Sequence, residues 1–338
     1  MTDAMVKTMT KLLITGVAGF IGSHLLREAL DRGYSVVGVD NFLTGRMSNI
    51  EAVLRDGGAD RFELRRQDIR DLPDMIAAAE GCDTIFHEAA IGSVPWSIDD
   101  PLLAHSTNLT GFLNILEAAR KNHVRRVVYA SSSAVFGDST HLPAVEGIEG
   151  NCLSPYASSK RSQEIYAQSY ARCYDMQIVG LRYFNVFGAR QDPNGAYAAV
   201  IPKWGMRMAK GSPCILYGDG TSTRDYCHVS NIVSANFLAA EADLQKSGAD
   251  GIAPALNIGC GAQTSLISLF EMMREAFRKH RHLDVPEPVF EPPRAGDIEH
   301  SSADIQKATR VIGFLPKVSV QKGLDDLIMF GEFDRIQS

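Results

Sequence analysis

Short apolar runs alternate with amphipathic helical patterns from residue 12 to about residue 182. Strands are read at 12–15, Ser35–Val39, Phe62–Arg65, 83–87, 124–130 and 178–182, and the run at 12–15 is apolar rather than alternating. That pattern predicts strands covered on both faces, as in a parallel sheet. Helical spacing predicts helices over 23–32, 107–121 and Pro155–Tyr174, with Gly33 as a stop signal for the first. Asp74 is placed to cap a short helix over 75–79. Strand and helix in alternation predict an α/β fold with a doubly wound parallel sheet and right-handed crossovers. After residue 185 glycine and proline become dense. The expected division is a first domain over 11–185 and a smaller mixed lobe over 186–335, with some of its segments returning to the sheet.

One stretch organises the rest. The run 11–15 leads into Gly16, Gly19 and Gly22, and a helix pattern follows at once. This is the Rossmann-type order of strand, glycines, helix, second strand and acid. Gly16 turns the chain out of the strand. Gly19 lets backbone approach a pyrophosphate, and Gly22 lets the helix pack against the sheet. Free N–H groups at the helix start then hold phosphates, with Phe20 and Ile21 in the same turn. Asp40 ends the second strand, where an acid accepts bonds from a ribose diol. Asp40 followed by Asn41 favours NAD, because a carboxylate repels a 2′-phosphate. Ligands in such sheets lie outside the carboxyl ends of the strands. The candidate positions are therefore 16–22, Asp40, Asp68, 89–93, 131–133 and 183–185.

The chain has 338 residues, more than one core usually organises. Its net charge of −6 argues against a general nucleic-acid binder. No apolar run approaches the roughly 20 residues that span a bilayer. The first residues, 1–11, are polar and mixed; a disordered lead-in and a cytoplasmic location are expected. The six cysteines include no CxxC pair, so free thiols in a reducing compartment are expected. No metal site is expected.

Tyr156 and Lys160 stand four apart behind Pro155, on one face of a helix. A phenol with a pKa of about 10 is a poor base at neutral pH. A nearby ammonium and a cationic nicotinamide ring stabilise the phenolate. Tyr156 can then take a hydroxyl proton while hydride leaves the same carbon. A hydroxyl from Ser131, Ser132 or Ser133, at the end of the fifth strand, is placed to bridge the substrate oxygen and Tyr156.

These motifs together resemble the extended short-chain dehydrogenase/reductase family. The segments 181–188, 218–220, 223–226 and 294–297 narrow the likeness to its nucleotide-sugar enzymes, and 90–95 with 191–204 to the bacterial UDP-N-acetylglucosamine 4-epimerases. The resemblance spans about residues 11–330. It implies that Gly16, Gly19 and Gly22 hold the NAD pyrophosphate, Asp40 its ribose, and Asp68 with Ile69 the adenine. Ala89, Ala90 and Tyr183 complete the cofactor set. It further implies that Lys160 orders the nicotinamide ribose, Tyr156 is the base, and Ser132 is its partner on the substrate oxygen. Asn185 would contact the nucleotide sugar, with Ala199 and Val200 beside the uracil. Lys203 and Tyr217 join them. Arg224 and Arg294 would clamp the diphosphate, as guanidinium forks suit phosphate. Asp297 would hold the uridine ribose.

Related dehydratases and decarboxylases carry an acid just after the serine. Here Ser133 and Ala134 stand there, which favours epimerisation. Phe136 stands where the family more often has Tyr, and is expected to point away from the chemistry. The implied reaction is a reversible 4-epimerisation through a 4-keto sugar, with NAD held tightly and regenerated. The resemblance further implies that Ser301 stands beside the sugar's C2 substituent, where a small residue, with Gly92 and Ser93 lining the same pocket, admits an N-acetyl group. The expected pair is UDP-GlcNAc and UDP-GalNAc, ahead of UDP-Glc and UDP-Gal. A UDP-uronate 4-epimerase on the same scaffold, or a non-catalytic NAD-binding regulator, are the alternatives. A homodimer through the helices at 107–121 and Pro155–Tyr174 is expected.

Overall fold

The computed structural model describes residues 11–193, 199–244, 253–293, 299–331 and 333. A seven-stranded sheet is built from β1 (Lys11–Thr15), β2 (Ser35–Val39), β3 (Phe62–Arg65), β4 (Thr84–His87), β5 (Arg126–Ser132), β6 (Gln177–Tyr183) and the strand Ala255–Ile258. Its order is Ala255–Ile258, β6, β5, β4, β1, β2, β3, so the chain reverses direction across the sheet at β1 and β4. The pairs among β1–β5 all run parallel, with Leu12 opposite Val36 on one side and Thr84 on the other. Residues of β1 and β4 are almost all buried, which is why their sequence lacks alternation.

The chain forms two compact units. The first comprises residues up to Ser131, Ser154–Gly180 and Ala239–Ala255. The second comprises Ser132–Leu153, Leu181–Leu238 and the chain from Leu256 onward. A core of Leu13, Val37, Ile85, Phe112, Ile115, Val127 and Tyr129 fills one side of the first unit's sheet. Each such side chain contributes about 1.5–3 kcal/mol on burial. The second unit has its own core around Phe187, Trp204, Leu216, Phe270 and Phe277. Its main helices are Val200–Ala209, Leu266–Arg281 and Val320–Met329.

Several elements depart from the sequence reading. The first helix begins at Phe20, at the glycine turn itself. The short helix is Leu72–Ala78, and Asp71 rather than Asp74 caps it, its side chain accepting from Asp74 N at 3.0 Å. Pro73 in the first turn suits that earlier start. The single helix expected over 107–121 is a helix at Pro101–His105, a π turn at Ser106–Thr110 and a helix at Gly111–Lys121. The π turn buries the polar Thr107 and Asn108, which apolar periodicity does not report. Lys11 belongs to β1, and the rest of the proposed lead-in lies outside the described residues.

Candidate active site

The glycine turn sits at the carboxyl end of β1. Gly16 has φ of +69°, and a Cβ there would lie 2.8 Å from Ala89 N. A Cβ on Gly22 would lie 2.1 Å from Gly16 O. Both are clashes with backbone, so only glycine closes this turn. The helix Phe20–Asp31 has no side-chain cap and no acid in its first turn. Its leading N–H groups therefore face outward toward an anion, as a pyrophosphate requires.

A cavity of 270 Å³ opens over this turn. It is lined by Gly16, Gly19, Phe20, Ile21, Gly22, Asp40, Asn41, Ile69, Ala89 and Ala90 from the candidate cofactor set. Gly92, assigned to the sugar, lies there too. Asp40 is buried; its carboxylate accepts from Ala18 N at 2.9 Å and Phe42 N at 2.8 Å. Burial raises its pKa, and the two amides oppose that rise. The cradle and the acid suit a dinucleotide with a free adenosine ribose. Asp68 lies beside this cavity, bonded to Asn41 at 2.8 Å and to Arg70. The Arg70 guanidinium holds the Asp68 carboxyl down at about 2. Gln67, Leu43, Thr44 and Thr107 also line the cavity, which no spacing in the sequence signals.

The helix Pro155–Tyr174 carries Tyr156 and Lys160. Ser154 caps it, accepting from Ala157 N at 3.1 Å, with Pro155 in the first turn. Tyr156 N donates to Ser97 Oγ at 3.0 Å and Ser159 Oγ donates to Tyr156 O at 2.8 Å, so the tyrosine backbone is held from both sides. Lys160 is buried, its Nζ donating to Ala130 O at 2.7 Å and standing 5.9 Å from the Tyr156 ring centre. Burial pushes its pKa down to about 8, while Glu88 and Glu164 pull it back up. Glu164, unremarked in the sequence, is buried and accepts from Ser131 Oγ at 2.7 Å and from Arg161 at 2.8 Å. Ser131 is thereby committed to structure. Ser93 caps the helix Val94–Asp99, accepting from Trp96 N.

In the second unit, Ser132 Oγ accepts from Ala134 N at 3.1 Å and caps the 3₁₀ turn that begins at Ser133. An accepting hydroxyl keeps its hydrogen to donate. Phe136 in this turn packs beside Phe184, and the Arg182 guanidinium lies 4.9 Å from its ring centre. Arg182 is buried with Glu149 at 2.6 Å. Tyr183 is buried and its hydroxyl accepts from Asn236 Nδ2 at 2.8 Å.

The second unit contains a separate cavity of 410 Å³. Asn185, Ala199, Val200, Lys203, Tyr217 and Arg224 line it, together with Phe187, Trp204 and Tyr226, which the sequence reading left unassigned. It offers an aromatic and aliphatic wall with cations at its edge, which matches a base joined to a diphosphate. Ser301 N donates to Thr223 O at 3.1 Å, which seats Ser301 next to the strand bearing Arg224. Ser302 is buried and accepts from Gln263. Arg294 and Asp297 lie outside the described residues.

A glycine cradle for a dinucleotide and a Tyr–Lys pair on a neighbouring helix define a nicotinamide-dependent scaffold. Residues 12–259 match the NAD dependent epimerase/dehydratase family, and the chain belongs to that family. Its cofactor is NAD. A UDP-glucose 4-epimerase of Mycolicibacterium smegmatis is 36% identical over 324 residues, covering 95% of this chain and 98% of that protein. The crystal structure of UDP-glucose 4-epimerase with UDP-glucose from Thermotoga maritima is 33% identical, with a TM-score of 0.85 over 97% of this chain and 100% of that one. A UDP-N-acetylglucosamine 4-epimerase from Methanobrevibacter ruminantium, in complex with UDP-N-acetylmuramic acid, is 33% identical. Its TM-score is 0.86, over 95% of this chain and 98% of that one.

Proposed function

We propose that this isomerase, an NAD-dependent UDP-sugar 4-epimerase, interconverts UDP-GlcNAc and UDP-GalNAc in preference to UDP-Glc and UDP-Gal. The observation that carries the preference is Ser301, a small residue held at the strand bearing Arg224. A small side chain there leaves room for an N-acetyl group at C2. Tyr156 takes the C4 hydroxyl proton and later returns it, with Ser132 donating to the same oxygen. Lys160 supplies the positive charge that favours the phenolate. NAD held at this glycine turn would supply the hydride acceptor and donor for C4 of the sugar. Gly16, Gly19 and Gly22 seat its pyrophosphate and Asp40 its ribose. Arg224 binds the diphosphate, while Ala199 and Val200 flank the base, with Lys203 and Tyr217 in the same cavity. Since hydride leaves and returns within one turnover, the bound cofactor is conserved.

The test is a rate comparison. The account expects UDP-GlcNAc to give a kcat/KM at least tenfold above that of UDP-Glc, and Ser301→Tyr to reverse the order. Equal turnover of the two by the unmodified enzyme contradicts the assignment, and turnover of UDP-glucuronate alone supports the uronate reading.

We also propose a homodimer. The helices Val94–Asp99, Pro101–His105 and Pro155–Tyr174 leave Ile98, Leu102, Ile165 and Tyr166 at 59%, 80%, 55% and 42% exposure. Exposed apolar side chains grouped on neighbouring helices mark an interaction surface. Sedimentation should give twice the chain mass, and Leu102→Glu with Ile165→Glu should reduce it to one chain. A native monomer contradicts the dimer. Among the described residues no helix is long and apolar enough to cross a membrane. Six free thiols support the proposed cytoplasmic location.

A further inference from the structure

Behind the cofactor cavity, His87 at the end of β4 is buried, and its Nδ1 lies 2.8 Å from Thr15 Oγ1 at the end of β1. Thr15 Oγ1 also accepts from Ala89 N at 3.3 Å. The Ala89 amide can only donate, so the Thr15 oxygen accepts from it, and the same hydroxyl pairs with Nδ1 of the neutral His87 ring. Among the described residues Nε2 has no hydrogen-bond partner, and the ring lies 5.7 Å from that of Phe112. Burial, with the charge of Lys160 nearby, pushes its pKa down to about 3, so the ring stays neutral throughout the working range. A buried polar ring with one open nitrogen is costly. What it does in return is orient one hydroxyl.

The orientation matters because of what Ala89 touches. Its amide nitrogen lies where a Cβ on Gly16 would come within 2.8 Å, and Ala89 lines the cavity opposite the glycine turn. We propose that His87 is a positioning residue: acting through Thr15, it holds Ala89 against the glycine turn and so sets the wall on which NAD rests. The chain His87 Nδ1, Thr15 Oγ1, Ala89 N links the ends of two neighbouring strands just where the backbone must lie flat against the cofactor. A charged ring in this place would also add a second buried cation beside Lys160, which neutrality avoids.

The test uses the full-length enzyme and reads cofactor retention. NAD remaining per chain after extensive dialysis is measured for wild type, His87→Leu, His87→Asn and Thr15→Val, with UDP affinity measured by calorimetry. His87→Leu removes the partner of the Thr15 hydroxyl and should cut retention about fivefold or more, with UDP affinity unchanged. His87→Asn can offer its amide group in place of Nδ1 and should stay within about twofold of wild type. Thr15→Val should match His87→Leu, and the double variant should be no worse than either single one, since the groups act in series. Wild-type retention in both His87→Leu and Thr15→Val would overturn the proposal. So would a His87→Asn protein as deficient as His87→Leu, or equal losses of NAD and UDP binding.

Discussion

Replacing Tyr156 by Phe should lower kcat by about 10²–10⁴-fold, the usual contribution of a positioned general acid–base group. The same substitution should leave UDP affinity and bound NAD unchanged. The backbone of Tyr156 is held by Ser97 and Ser159, and neither bond involves the phenol oxygen. The ring stays, with its place beside the buried Lys160. What disappears is the one oxygen able to carry the C4 proton. Single-turnover kinetics on NAD-loaded enzyme check this, because they separate chemistry from product release. A protein that keeps more than a tenth of normal turnover removes Tyr156 from the reaction.

The second large effect is structural and reaches the substrate. Asp225 is fully buried, and its carboxylate accepts from Cys260 N at 2.8 Å, Gly261 N at 2.9 Å and Ala303 N at 3.1 Å. Burial raises its pKa against the pull of those amides. One side chain thus ties the strand carrying Arg224 to the loop at 260–261 and to the segment carrying Ser301. Asp225→Ala leaves three amides without that acceptor, the one at Ala303 in a buried place. At about 1–3 kcal/mol for each unsatisfied group, the loss should be about 3–5 kcal/mol. The melting temperature should fall by about 4–7 °C, and UDP affinity should fall with it. Asp225→Asn keeps one accepting oxygen and should lose less on both counts. Calorimetric melting with and without UDP tests this. A melting temperature within about 2 °C of wild type for Asp225→Ala contradicts the clamp.

The sequence announced features that depend on neighbours along the chain. The glycine turn, Asp40 at the end of β2 and the Tyr156–Lys160 face are local patterns, and the structure places them at strand ends and on one helix as expected. Strand positions were readable because strands buried on both faces must be apolar. What stayed hidden depends on partners far away in the sequence. Glu164 and Ser131 are 33 residues apart, and Thr15 and His87 are 72 apart. Nothing near Asp225 marked it as the acceptor for amides at 260, 261 and 303. The π turn at Ser106–Thr110 was hidden for a different reason: its residues, Ser-Thr-Asn-Leu-Thr, are mostly polar, and the side chains buried in it are Thr107 and Asn108. The choice of Asp74 over Asp71 as a cap shows how two acids three apart compete, with Pro73 deciding between them. Ser131, one of three equivalent serines in the sequence, separates from Ser132 only when Glu164 is seen to occupy it.

The most direct measurement is to incubate the purified enzyme with UDP-GlcNAc in deuterated water, adding no cofactor, and to follow the sugar by NMR. The account predicts that UDP-GalNAc appears and that C4 still carries protium, because the hydrogen leaves and returns as hydride within the site. Failure to form UDP-GalNAc even with added NAD, or deuterium at C4 of the product, would contradict it.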